Sequence, residues 1–273
     1  MRVIKSLEEL TDSFSKVAEY LSEDELYRLI FATLLRAGLA LEGILENFED
    51  TATKILEPLP PIYRSFASGK QYRVFLRFLN EMGGFLKGSG SSAMEEGDIS
   101  KIIELLKKQV GKVSGVIVSD CLSLPEFLTL SAKLKTEGFV PCFGERFLVN
   151  PLGVTRFVTG QLPYLDAEGF LREYARLLAK GLKAQSWVKE SRVDYIVHTQ
   201  GYTEPENFVK SMPIGEIVTE VRNKLKKGSV LVTSDHGYDL FADVEGLKIA
   251  HGAREQGYQI FSFSKVGLFL LIS

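Results

Sequence analysis

From Val113 onward the chain alternates short β-branched runs with amphipathic stretches, and this alternation constrains the fold more than any other feature. Residues 115–119, 139–149, 195–199 and 229–233 have the length and composition of buried strands. Between them, residues 124–135, 166–183 and 214–226 have helical periodicity, with Asp166 placed to cap the second helix and Pro213 at the first turn of the third. Parallel strands need a crossover connection, which a helix supplies, so the pattern specifies an α/β fold: a mostly parallel sheet flanked by helices. Three late apolar runs, ending in 267–272, complete the sheet or add a hairpin.

The preceding residues, 1–112, read as an all-helical domain ahead of an α/β domain at 113–273. Ser6-x-x-Glu9 and Ser22-x-x-Glu25 have capping-box spacing and predict two helix starts. Gly38 is expected to stop or break the second helix, and Pro58-Leu59-Pro60-Pro61 punctuates the chain. Over 71–86, cations (Arg73, Arg77) interleave with aromatics, a pattern that can bind single-stranded nucleic acid. Tyr72, Phe75, Leu79, Met82 and Leu86 nevertheless recur at helical spacing, and Arg77 can pair with Glu81, so a core helix is the simpler expectation. Gly88 to Ser92 reads as a flexible loop, and 99–108 as a last helix.

With 33 Lys+Arg against 35 Asp+Glu, the net charge of −2 offers no field to hold a polyanion, so net charge does not support nucleic acid as a partner. Two cysteines are too few for a disulfide framework and predict a reducing, cytoplasmic setting. The most apolar run, 29–45, is interrupted by Arg36 and Glu42, and MRVIKSLEEL lacks the apolar core of a signal peptide, so no membrane association is expected.

In a parallel sheet, ligands gather beyond the carboxyl ends of the strands. The polar residues there are Ser119-Asp120, His198 and Thr233-Ser234-Asp235-His236-Gly237, and a further His251-Gly252 follows. Carboxylates beside imidazoles give the mixed oxygen and nitrogen donors that Zn²⁺ or Mn²⁺ accepts, and Asp120, Asp235 and His236 can form one such set. Asp194 and His198 have Asp-x-x-x-His spacing, but with a strand over 195–199 Asp194 falls at the wrong end of it.

These segments, in this order over 113–273, resemble the PglZ-domain proteins of the alkaline phosphatase superfamily. The resemblance implies an alkaline-phosphatase-like fold and a two-metal phosphoester hydrolase site holding Zn or Mn, with a phosphoester ligand. It implies that Asp120, Asp235 and His236 hold the metal that activates a hydroxyl nucleophile, and that His251, with His198 in the neighbouring family segment, serves the other. An ungapped alignment puts Asn150 at the nucleophile position; Thr155 lies five residues on, beside Arg156, which can hold a phosphate bidentately. With an amide in place of the hydroxyl and the second donor set short of a carboxylate, turnover is expected to be weak or absent. The alternative is a non-catalytic, degenerate member acting as a protein or nucleic-acid interaction module through its N-terminal helices.

Overall fold

A computed structural model describes residues 2–88, 99–109, 113–144, 147–150, 152–158, 167–252 and 258–273. The helical half contains α1 (Arg2–Ala18), α2 (Glu23–Leu41), α3 (Leu45–Leu56), α4 (Pro61–Arg64), α5 (Lys70–Gly88) and α6 (Ile99–Gln109). Then follow β1 (Gly115–Ser119), α7 (Leu124–Thr136), β2 (Pro141–Phe143), β3 (Leu148–Val149), α8 (Thr155–Val158), α9 (Ala167–Leu182), β4 (Ser186–Glu190), α10 (Arg192–Gln200), α11 (Pro205–Ser211) and α12 (Ile214–Leu225). The chain closes with β5 (Val230–Ser234), β6 (Asp239–Asp243), β7 (Gly246–Ala250), β8 (Tyr258–Ser262), β9 (Val266–Gly267) and β10 (Phe269–Ile272).

The main sheet has the order β2-β10-β5-β1-β4, with β1 parallel to both β4 and β5 and β10 antiparallel to its neighbours. Its central strands are buried on both faces, as uninterrupted apolar runs require. Ile117, Val230 and Val232 point into one apolar cluster, and Val116, Val118 and Leu231 point into the other. The first cluster is continuous with the buried faces of α1, α2, α5 and α7; the second holds Leu106 of α6 together with α9.

The described helices α1 to α6 therefore share their cores with the α/β half. Polar contacts stitch the same seam: Thr11 Oγ1 lies 2.9 Å from Ser131 Oγ, and Lys133 Nζ donates to the carbonyls of Ala18 and Leu21. Tyr27 donates to Glu126 at 2.7 Å. Two cations of α5 face α1: Arg77 pairs with Glu9, not Glu81, and Lys70 reaches Glu9 as well. Val74, Phe75, Phe78 and Met82 of the same helix are buried, which is the core-helix arrangement.

Several local expectations are corrected. Ser22 and Glu25 form a complete capping box, but α1 has already begun before Ser6, whose buried hydroxyl instead lies 3.5 Å from Arg77 Nε. Gly38 sits inside α2, because Ile260 of β8 packs where a Cβ would be, 2.5 Å from its Cγ2. The run 139–149 divides into β2 and β3. Only the last of the three late runs, as β10, joins the main sheet; β7-β6-β8 form a separate antiparallel sheet. The expected strand over 195–199 is a helix, α10, and the strand preceding it is β4. Asp166 and residues 89–92 lie outside the described residues. No helix among the described residues is long and apolar enough to cross a membrane.

Candidate metal centre

The register of the main sheet decides where the candidate ligands meet. Ser119 of β1 stands opposite Ser234 of β5, so the next residues, Asp120 and Asp235, leave the same carboxyl edge side by side, and His236 follows. Their ligand atoms lie within 4.8 Å of one another. His236 Nε2 is 3.3 Å from Asp120 Oδ1 and 3.5 Å from Asp235 Oδ2. Asp235 and His236 are buried, and Asp120 nearly so.

A second cluster adjoins the first. Asp194 and His198 are one turn apart on α10, and β7 delivers His251 to them, anchored by the Ile249 N–H donating to the Gly201 carbonyl at 2.7 Å. Asp194 Oδ1 lies 3.3 Å from His198 Nε2 and 3.2 Å from His251 Nε2, and the two Nε2 atoms are 2.9 Å apart. Tetrahedral ligands bonded to one cation at 2.0–2.2 Å stand about 3.3–3.6 Å from each other, close to the carboxylate–imidazole distances of 3.2–3.5 Å in both clusters, while the His198–His251 edge is shorter at 2.9 Å. The His236 and His251 rings stack with centroids 4.8 Å apart, so the clusters share a wall.

Local structure explains these placements. α10 starts where it does because Glu190 Oε1 accepts the Arg192 N–H at 2.6 Å, and Arg192 ties the same carboxylate to Glu216 and Glu220 of α12. Backbone carbonyls orient both inner histidines. His236 Nδ1 lies 3.0 Å from the Gly237 carbonyl and His251 Nδ1 lies 3.3 Å from that of Gly153, which puts each Nδ1 hydrogen on a carbonyl and leaves each Nε2 facing the carboxylates.

The electrostatics favour a cation. Burial raises the Asp235 carboxyl to about 6; the His236 charge and the Thr155 hydroxyl oppose the rise, and the Asp120 charge adds to it. Burial alone would push the His236 imidazole down, but Asp235 and its other neighbours outweigh burial and hold it well above the ordinary value. Asp194 is also half-buried, yet its hydrogen bond to His251 and the nearby imidazoles keep its carboxyl low. Both Asp235 oxygens and Asp120 Oδ1 are buried without a hydrogen-bond partner among the described residues. Two of these oxygens, Asp120 Oδ1 and Asp235 Oδ2, lie within 3.5 Å of His236 Nε2; buried carboxylate oxygens short of donors beside an imidazole are a donor set that a divalent cation satisfies, so the residues present fit such a group. Cys121 also lies within ligand distance of His236 and His251, but its thiol donates to the Gly237 carbonyl, and burial pushes it up to about 12.

A cavity of about 290 Å³ opens between the clusters, bounded also by Val154, Thr155 and Phe170. Thr155 is buried, with its hydroxyl close enough to Asp235 to favour the ionised carboxylate. Asn150 does not line this cavity. It is fully buried, and its amide is consumed by the backbone: Nδ2 donates to the Val154 and Asp235 carbonyls at 2.9 and 3.1 Å, and Oδ1 accepts the Gly153 N–H at 2.9 Å. Thr155, five residues on, lines the cavity instead. The side chain of Arg156 lies outside the described residues.

Asp120, Asp235, His236, His251 and His198 thus gather at one sheet edge, and Asp194 joins them. Sequence reasoning set Asp194 aside because Tyr195-Ile196-Val197 looks like a strand. The paired i, i+4 spacings of Val193/Val197 and Asp194/His198 carry the helical signal. No protein-family model and no curated protein matches the chain.

Proposed function

We propose that this chain is a PglZ-type, metal-dependent phosphoester hydrolase of the alkaline phosphatase superfamily, with Thr155 as nucleophile and two donor sets, Asp120/Asp235/His236 and Asp194/His198/His251, that hold Zn²⁺ or Mn²⁺. The observation that carries this reading is that Thr155 and five of the six residues of two triangular donor sets line a single cavity, the sixth, Asp235, being buried next to His236. The two reasons for expecting an impaired site fall away in it: a hydroxyl lines the cavity, and the second set has its carboxylate.

When bound, a metal pair neutralises phosphate charge and stabilises the attacking and leaving oxygens. Thr155 loses its hydroxyl proton to solvent, and its Oγ1 forms the bond to phosphorus as the bond to the leaving oxygen breaks. That oxygen departs as an alcohol protonated by water. Water then attacks the phosphothreonine, releasing phosphate (or the monoester, from a diester) and restoring the hydroxyl. Phe170 and Val154 give the cavity an apolar wall.

The test is turnover of p-nitrophenyl phosphate and bis(p-nitrophenyl) phosphate with Zn²⁺ or Mn²⁺ supplied, together with mass spectrometry of the acid-quenched protein. Turnover abolished in Thr155→Ala, with phosphate trapped on Thr155 of the parent, is the expected result. Metal bound in two equivalents without turnover or trapped phosphate would instead leave a binding module.

A further inference from the structure

We infer that Asn150 is the positioning residue of this site, a single buried amide that fixes the Thr155 hydroxyl and the His251 ring relative to the strand carrying Asp235; the inference rests on the hydrolase reading. Its three side-chain hydrogen bonds reach the carbonyl of Asp235, the carbonyl of Val154, immediately before Thr155, and the N–H of Gly153. Its own N–H donates to the Lys265 carbonyl at 2.8 Å, so the turn is also tied to the strand pair β3-β9.

The turn needs this tie. Gly153 has φ +59, the left-handed region, and its N–H is shared between the carbonyl and the side chain of Asn150. The Gly153 carbonyl faces His251 Nδ1 at 3.3 Å. One amide therefore connects the nucleophile, a ligand residue of the inner set and a ligand residue of the outer set. No other side chain would hold all three: aspartate keeps the acceptor for Gly153 but loses both donors, and alanine loses everything.

Displacing a reacting group by about 1 Å costs on the order of 10²-fold in rate. Parent, Asn150→Asp and Asn150→Ala are compared, Zn²⁺-loaded. The readouts are p-nitrophenyl phosphate kinetics, Zn²⁺ calorimetry, amide hydrogen exchange over 152–158 and thermal melting. For Asn150→Asp, kcat is expected to fall about 10²-fold with KM little changed, and the weaker Zn²⁺ affinity to drop about 10-fold through His251. Exchange over 152–158 rises while the fold persists. An unchanged kcat in Asn150→Asp, or unchanged exchange over 152–158 in both Asn150 variants, would overturn the inference. A parent that binds Zn²⁺ but does not turn over removes the hydrolase reading, and the exchange data then decide the positioning role by themselves.

Discussion

The two donor clusters are chemically alike and structurally opposite. Asp120, Asp235 and His236 come from the ends of two hydrogen-bonded strands in one sheet and lie in a nearly dry interior. Asp194, His198 and His251 come from a helix and from a strand of a different sheet, and His198 is largely exposed. The inner cluster is positioned by a backbone ladder, whereas the outer one depends on how α10 and β7 dock. Burial makes the Asp235 carboxylate costly to hold without a cation, whereas the imidazoles of His251 and His198 offset the partial burial of Asp194.

The largest expected effect breaks the inner cluster. Asp235→Asn should lower turnover by more than ~10³-fold and abolish the tighter of two Zn²⁺ binding events, because several kcal/mol of charge stabilisation leave with that metal. Calorimetry beside steady-state kinetics checks it, and an unchanged stoichiometry would show that Asp235 ligates nothing.

Next is the buried support beneath the inner cluster. Glu126 accepts from Tyr27 and Tyr238, each at 2.7 Å, and from the Ser123 N–H; burial nevertheless raises its carboxyl to about 7 from 4.5. The folded state thus keeps a proton that the unfolded chain releases. The resulting stability is fully present below pH 4.5 and is lost as pH rises through about 7, a span worth roughly 3 kcal/mol. Urea unfolding at pH 5 and pH 8 should show a loss in the parent that is smaller in Glu126→Gln, the raised Asp235 and His236 supplying the loss that remains.

A smaller effect is expected at the outer cluster. His198→Ala should weaken only the second Zn²⁺ event, by about 10–100-fold, and leave the first intact. Loss of both events together would mean that the clusters are not separable. Smallest of all, Cys121→Ser should leave Zn²⁺ stoichiometry unchanged and shift stability by no more than about 1 kcal/mol, since it exchanges one weak donor to the Gly237 carbonyl for another. A lost Zn²⁺ equivalent would instead make the thiol a ligand.

The inner cluster was legible in the sequence because its signal is local: an apolar run ending in Ser-Asp, and another ending in Ser-Asp-His-Gly. The outer cluster was half legible. Its histidines stood out by scarcity, but three adjacent residues with high strand propensity hid the helix that aims Asp194 at them. Propensity lost there to the local Glu190 contact that starts α10 and to the tertiary pairs of Arg192 with Glu216 and Glu220. That the Asn150 side chain is turned to the backbone while Thr155 lines the cavity is not legible from spacing, because spacing counts residues along the chain while a left-handed turn at Gly153 folds the intervening ones away.

By itself the sequence determined the α/β class, the strands β1 and β5, the core face of α5 and the residue types of the inner donor set, since apolar periodicity and strand-end chemistry act over a few residues. Only the tertiary structure decided that the N-terminal helices share the core of the sheet, that β7 brings His251 to α10, and that Thr155 rather than Asn150 faces the cavity. Each of those depends on contacts between residues tens of positions apart, whose favourable free energy exists only once the intervening chain has been ordered.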